Sequence, residues 1–192
     1  MKISTLVAAA LLCSTGLAAH AAKQDEGVGP YAGVEVGRTS FSLASSLPVS
    51  NKDQRGDTIK LFGGYNFNQW FGVEGGYARL GSFSETATVG SGSVKQDGSA
   101  RSFFGAVTAR AQLGESFAAH ARLGLSAGKV NGTNLLPAGD ELTGSKRSVM
   151  FGVGAEYKLT PNVALTVDYD NYGKVSNKVK ASTLGFGARV SF

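Results

Sequence analysis

One cysteine, Cys13, is all that this 192-residue sequence contains, and it lies close to the N-terminus. A disulfide framework and thiol chemistry are therefore both excluded for the rest of the chain. Proline is almost as scarce, with four residues against 27 glycines. Beyond residue 22 no run is apolar enough for a membrane-spanning helix, which needs about 20 such residues. Charge of one sign is not in great excess either: 19 Lys and Arg face 14 Asp and Glu, a net +5. That is too mild to argue for a nucleic-acid partner. Histidine occurs twice, and only His120 lies beyond the first 22 residues. A lone histidine without cysteines or clustered carboxylates makes no metal site, so neither a metal nor a cofactor is expected.

The first 22 residues have the form of a secretory leader. Lys2 supplies the positive charge, Ile3 to Leu12 the apolar core, and Ala19-His20-Ala21 a small-x-small site for cleavage after Ala21 or Ala22. The apolar core is only about half a bilayer-crossing length. A lipid anchor on Cys13 is disfavoured by the bulk of Leu12 before it. Cleavage removes Lys2 and Cys13, leaving 170 of 192 residues with a net charge of +4. That is enough for one domain, 23–192. Glycine-rich, proline-poor and of neutral hydropathy, it does not have the composition of a disordered chain.

Alternation is what fills the remaining chain. In the last stretch Leu184, Phe186, Ala188, Val190 and Phe192 are apolar, with Gly185, Gly187, Arg189 and Ser191 between them. This period of two gives an extended segment one greasy and one polar face. Seven more segments alternate in the same way, at roughly 30–38, 58–67, 70–80, 101–113, 117–129, 147–159 and 163–171. Their connections also alternate. Asn68-Gln69, Gly114-Glu115-Ser116 and Thr160-Pro161-Asn162 are tight, whereas 39–57, 81–100, 130–146 and 172–182 are expected to be long polar loops. Eight such strands close into a barrel with either face inward. An apolar interior describes a soluble lipocalin-like barrel; an apolar exterior describes a membrane barrel. The leader, the aromatic final residue and the glycines on the polar face, which make room in a narrow lumen, favour the second. The predicted fold is an all-β, eight-stranded antiparallel transmembrane β-barrel.

Three motifs carry a family resemblance: Gly-Pro-Tyr-Ala-Gly-Val-Glu-Val-Gly (29–37), Gly-Val-Glu-Gly-Gly-Tyr-Ala-Arg-Leu-Gly (72–81) and Gly-Val-Gly-Ala-Glu-Tyr-Lys-Leu-Thr (152–160). With their order, spacing and the terminal Phe192, they resemble the OmpA-like family of small outer-membrane β-barrels, here without the family's periplasmic peptidoglycan-binding domain. The resemblance implies export through the periplasm to the outer membrane of a Gram-negative bacterium. It also implies that Leu184, Phe186, Ala188, Val190 and Phe192 form the signal read by the outer-membrane assembly machinery. Some barrels of this size are lipid A hydrolases or acyltransferases that need a histidine near a serine. Two residues after His120 stands Arg122, so no enzymatic activity is expected.

Three sets of residues are candidates for function. Glu35, Glu74, Glu156 and Asp168 share lumen parity with Lys60, Arg110, Arg122 and Arg189, while Asp170 lies nearer the external mouth. Such charges must be paired or hydrated, and they form either a salt-bridged plug or a gate. Arg38, Arg79, Arg101, Lys129 and Arg147 fall on lipid-facing parity at the long-loop ends of their strands, where lipopolysaccharide phosphates would meet them. Ordinary interfacial snorkelling gives the same placement. The 172–182 connection carries Lys174, Lys178 and Lys180 and no acid, which suits acidic glycans or a host or phage surface ligand. The expected role is structural and surface-interactive. The alternative is a small-conductance, porin-like channel for ions or small solutes.

Overall fold

The computed structural model describes residues 27–43, 49–53, 55–89, 92–132, 144–177 and 179–192, with side chains omitted at 43, 49–53, 83–89 and 92–97. The expected leader, 1–22, its cleavage site and Lys178 lie outside the described residues. Among the described residues there are nine strands: β1 Gly29–Leu43, β2 Val49–Asp53, β3 Arg55–Asn66, β4 Phe71–Val89, β5 Gly92–Gln112, β6 Phe117–Gly132, β7 Gly144–Lys158, β8 Val163–Lys174 and β9 Val179–Ser191. All neighbours are antiparallel. β1 and β9 pair from Tyr31↔Ser191 to Leu43↔Val179, and β4 pairs with β5, so the ring β1-β3-β4-β5-β6-β7-β8-β9 closes on itself. β2 and β3 are successive partners of β4: β3 along Gly72 to Arg79, β2 along Ser84 to Ala87. The barrel therefore has eight staves, and closure leaves the final strand no free edge.

The facing follows the alternation. Leu61, Phe71, Phe103, Val107, Leu123, Leu125, Val149, Val153 and Phe186 are all exposed on the outside, whereas Glu35, Lys60, Glu74, Arg122, Glu156, Asp168 and Arg189 are buried within. Aromatic pairs edge the apolar band. Tyr65–Phe67 (ring centroids 5.7 Å apart) and Phe117–Tyr157 (4.8 Å) lie toward the short turns, and Tyr77–Phe103 (4.9 Å) toward the other end. An apolar belt bounded by aromatic girdles is the outer surface of a barrel set in lipid.

The short turns form as expected, at 67–70, 113–116 and 159–162. Asn68 closes the first with its side chain, its Oδ1 accepting from the N–H of Trp70 and of Phe71 at 2.8 Å each. This is the local bond that makes asparagine a turn former. Three of the four long connections depart from the polar loops expected, and most of the fourth, 130–146, lies outside the described residues. In 81–100 the strands simply continue: β4 and β5 stay in register out to Val89↔Gly92. A tilted strand crosses the hydrocarbon in about 9–11 residues, so about half of this 19- and 21-residue hairpin stands beyond it. β1 likewise runs on to Leu43, and β2 occupies part of 39–57.

Nor is the connection 172–182 a long polar loop. β8 extends to Lys174, β9 begins at Val179, and the backbone turns back on itself, with Val175 N–H donating to Val179 O at 2.9 Å. A bulge explains the difference. The register slips by one residue between Asn171 and Gly173, and Gly173 takes φ +65°, a left-handed conformation easy only for glycine. Tyr172 faces the lumen, and the extra residue reverses the parity beyond it, so Val175 turns inward as well. A second bulge, at Leu80 with Gly81 at φ +83°, works the same way on β4.

Candidate functional site

From the short-turn end the lumen is polar and then apolar. All eight charged residues assigned to it by parity lie inside and fall into one connected network. Lys60 Nζ is 2.6 Å from Glu35 Oε2 and 2.7 Å from Asp170 Oδ2. Arg122 reaches Asp170 (3.3 Å), Asp168 (2.6 Å) and Glu74 (3.2 Å). Glu156 accepts from Arg189 at 2.5 Å and from Arg110 at 3.1 Å. Asp170, set apart by the sequence reading, belongs to the same cluster. So does His120, whose Nε2 lies 2.5 Å from Asp168 and Nδ1 3.3 Å from Glu156, bridging its two halves. Five acids face four bases; with a protonated His120, both ring nitrogens donate to carboxylates and the count balances at five and five.

Glycines set the room for these side chains. A Cβ on Gly154 would overlap the Asp168 carboxylate and His120 Nε2, and one on Gly152 the Arg122 stem, at 2.8 Å from its Cγ. Gly33, Gly64 and Gly76 serve aromatic rings instead, receiving Phe62, Tyr31 and Phe104. Tyr31 in turn carries charge chemistry on both sides. Its hydroxyl donates to Glu74 Oε2 at 3.1 Å, and the Arg189 guanidinium lies over its ring at 4.6 Å. The space left over is small. Glu74, Arg110, His120, Arg122, Glu156 and Asp168 help line a cavity of about 20 Å³, which is room for roughly one water. A wider cavity of about 480 Å³ opens at the short-turn rim among Trp70, Arg110, Gln112 and Lys158.

Toward the long hairpins the lumen holds no charge among the described residues. Phe41, Leu80, Ala100, Val130, Met150, Tyr172, Val175, Val179 and Ala181 form a buried apolar cluster that also takes in the Phe104 ring. The β8–β9 turn is its lid. Val175 sits so close to Gly128 on β6 that a Cβ there would meet Val175 Cα at 2.5 Å. Ser126 Oγ donates to Tyr172 O at 2.6 Å, and Lys174 N–H to Ser148 Oγ at 3.0 Å. This plug was missed because the segments read from sequence ended at Leu80 and just before Val130 and Tyr172, too early for these residues to show a greasy stripe on the polar parity. The paired signals of Leu80-Gly81 and Tyr172-Gly173 were the available clue.

On the outside, all five residues of the basic belt are exposed, but they are not equivalent. Arg79 stands directly across from Arg101, and Arg101 from Lys129. Arg147 is opposite Ala127, one diagonal step from Lys129, whereas Arg38 faces the acid Asp57. Of the final-strand set, Leu184 and Phe186 are exposed on the belt, and Ala188, Val190 and Phe192 are half-buried near the short turns. Phe192 N–H donates to Pro30 O at 3.0 Å, tying the last residue to the first strand.

Comparison with known proteins decides the family. Residues 9–192 match the outer membrane protein beta-barrel domain. The chain belongs to that family. No curated protein matches the sequence, but the fold of this outer-membrane barrel recurs in solved structures. Neisserial surface protein A aligns with a TM-score of 0.58 at 19% identity, over 85% of this chain and 97% of its own. OprG of Pseudomonas aeruginosa gives 0.57 at 14%, over 86% and 97%. Ail of Yersinia pestis, in complex with the heparin analogue sucrose octasulfate, gives 0.53 at 20%, over 85% and 99%.

Proposed function

We propose that this barrel is a structural and surface-interaction protein of the Gram-negative outer membrane, and neither a conduit nor an enzyme. In this reading residues 1–22 direct export and are removed, and residues 23–192 form the barrel. The short turns lie in the periplasm, and the long hairpins outside the cell. The observation that carries the reading is the double closure of the lumen. The charge network leaves space for about one water, and among the described residues the plug beyond it offers an ion only apolar side chains and neutral hydroxyls such as those of Thr39, Ser102 and Ser176, with no charge to pair it. The lumen histidine is held between two carboxylates, and no serine among the described residues hydrogen-bonds it, which speaks against acyl chemistry. What remains free to act is the exposed hairpin end.

There the cations are concentrated. Lys174 and Lys180 are exposed and directly opposite in the β8–β9 ladder, and Lys146 Nζ, beside them, donates to Asn177 Oδ1 at 3.3 Å. Like charges set opposite each other repel, so a multivalent anion is the ligand this tip suits best: an acidic or sulfated glycan on a host surface. The sulfated ligand of Ail, on a similar fold, supports that chemistry. The test has two parts. The mature chain, refolded in a planar bilayer and checked by a heat-modifiable gel shift, is expected to be electrically silent. In detergent it is expected to bind heparin, and K146Q/K174Q/K180Q to lose binding while keeping the gel shift. Discrete current steps that change in E74Q or R110Q would establish the channel alternative instead.

A further inference from the structure

The cavity of about 480 Å³ at the short-turn mouth is not accounted for by the closed lumen above it. It is as large as many small-ligand sites, which run to about 300–1,000 Å³. Trp70 comes to it from the β3–β4 turn, Arg110 and Gln112 from the end of β5, Glu115 from the β5–β6 turn and Lys158 from the end of β7. Two cations thus share the cavity with one acid. Lys158 forms no ion pair among the described residues. Arg110 also lines the one-water space above, and its Nη2 reaches Glu156 at 3.1 Å, a carboxylate that already accepts from Arg189. The Arg110 side chain is 10% exposed, and its buried Nε has no hydrogen-bond acceptor among the described residues. A guanidinium so placed still has donors to give, and a carboxylate is the acceptor that suits them.

The chain itself brings carboxylates to this spot. The described residues begin at Gly27, where a Cβ would meet Arg110 Nη1 at 3.4 Å. The backbone therefore enters β1 past the guanidinium that lines the cavity. Immediately before Gly27 stand Lys23-Gln24-Asp25-Glu26, with two adjacent acids. β5 and β7 flank β6, so they are two strand spacings apart, about 10 Å. Four extended residues reach about 13 Å, which is enough to pass from Arg110 to Lys158. An ion pair at an exposed rim is weak by itself. A partner tethered at Gly27 is nevertheless present at an effective concentration of about millimolar, so weak pairs suffice.

We propose that residues 23–26 seat in the short-turn cavity, with Asp25 and Glu26 pairing with Arg110 and Lys158, and cap the mouth of the barrel opposite the apolar plug. Trp70, on the wall of the cavity, is covered when the segment is seated. The lumen is then closed at both ends around its charge network. The inference goes beyond the surface-interaction reading and takes from it only that residues 23–192 are the mature chain.

The test uses residues 23–192 refolded in detergent micelles, with the heat-modifiable gel shift as the check of folding. Trp70 is the only tryptophan, and residues 23–192 contain no cysteine. A nitroxide attached to Q24C, which leaves both acids in place, is expected to quench Trp70 fluorescence. D25N/E26Q and K158Q are each expected to lose most of that quenching while keeping the folded band. Without the nitroxide, deletion of 23–26 is expected to raise the quenching of Trp70 by acrylamide, and D25N/E26Q to do the same. K23Q, which keeps both acids, is expected to change neither readout. The proposal is overturned if the nitroxide leaves Trp70 unquenched in the otherwise natural sequence, if D25N/E26Q or K158Q keeps the full quenching, or if K23Q loses as much as D25N/E26Q. A deletion that leaves acrylamide access unchanged would also overturn it, and would leave the cavity to a ligand from outside the chain. An error in the expected cleavage site would show separately, as a different N-terminal residue in the mass of the exported protein.

Discussion

Lys60→Met probes whether the lumen is held by paired charge or by packing. Lys60 is 2% exposed, and its ammonium lies within 2.7 Å of both Glu35 and Asp170. Methionine has nearly the same length and no charge, so little cavity is left and the change is almost wholly electrostatic. Glu35 would retain the hydroxyl of Thr166, at 3.5 Å, and its contact with the Asp168 carboxyl, neither of them a cation, and Asp170 would retain the Arg122 guanidinium that it already shares with Asp168 and Glu74. Removing one member of a buried pair costs about 3–5 kcal/mol, because the other charge stays buried without compensation. Replacing all the members can be close to neutral. K60M is therefore expected to lower the unfolding free energy by about 3–5 kcal/mol, and E35Q/K60M/D170N to recover most of the loss. Urea unfolding from lipid vesicles measures this, read by the fluorescence of Trp70, the only tryptophan. A K60M barrel within about 1 kcal/mol of wild type would refute the reasoning, since the carboxylates would then have found water or protons at little cost.

Other substitutions test other parts of the structure. Val153 is 53% exposed midway along β7, and V153R should destabilise the barrel in vesicles by about 2–4 kcal/mol if the residue meets mid-bilayer lipid; a neutral effect would mean that the facing is wrong. G173A forces a side chain into φ +65° and to within 2.8 Å of Ser148 Cβ. It should lower the unfolding free energy by at least about 1–2 kcal/mol, whereas alanine at Gly105, where a Cβ meets nothing within 4 Å, should not. F192A is expected to reduce the outer-membrane level and leave chain in the periplasm, as seen by cell fractionation. Unchanged levels would remove the assembly role given to the last strand.

Much of the architecture was legible because a strand has a period of two. Once Ala188 and Val153 are apolar and Arg189 and Gly154 lie one residue away, the two faces are assigned without any knowledge of neighbours. Eight such stripes, short turns alternating with long connections, and glycines on the polar side were enough for the barrel and its facing. The same parity identified eight of the charges that meet in the lumen, while Asp170, set nearer the mouth, joined them. It could not say which acid meets which base, because that depends on stagger between strands. Lys60 on β3 finds Asp170 on β8, 110 residues away, only after closure.

What tertiary structure decided is where parity breaks and which side chains become neighbours. Bulges at Leu80-Gly81 and Tyr172-Gly173 reverse the alternation, and a connection that looked long, polar and basic became the lid of an apolar plug. His120, unremarkable as a single histidine, became the bridge between Glu156 and Asp168. The five belt cations looked equivalent by parity, until register opposed Arg38 with an acid and aligned Arg79, Arg101 and Lys129. Sequence determined the face on which each side chain lies, since that is a local property of the backbone. Register and closure determined what lies beside it, since those are set by strands far apart in the chain.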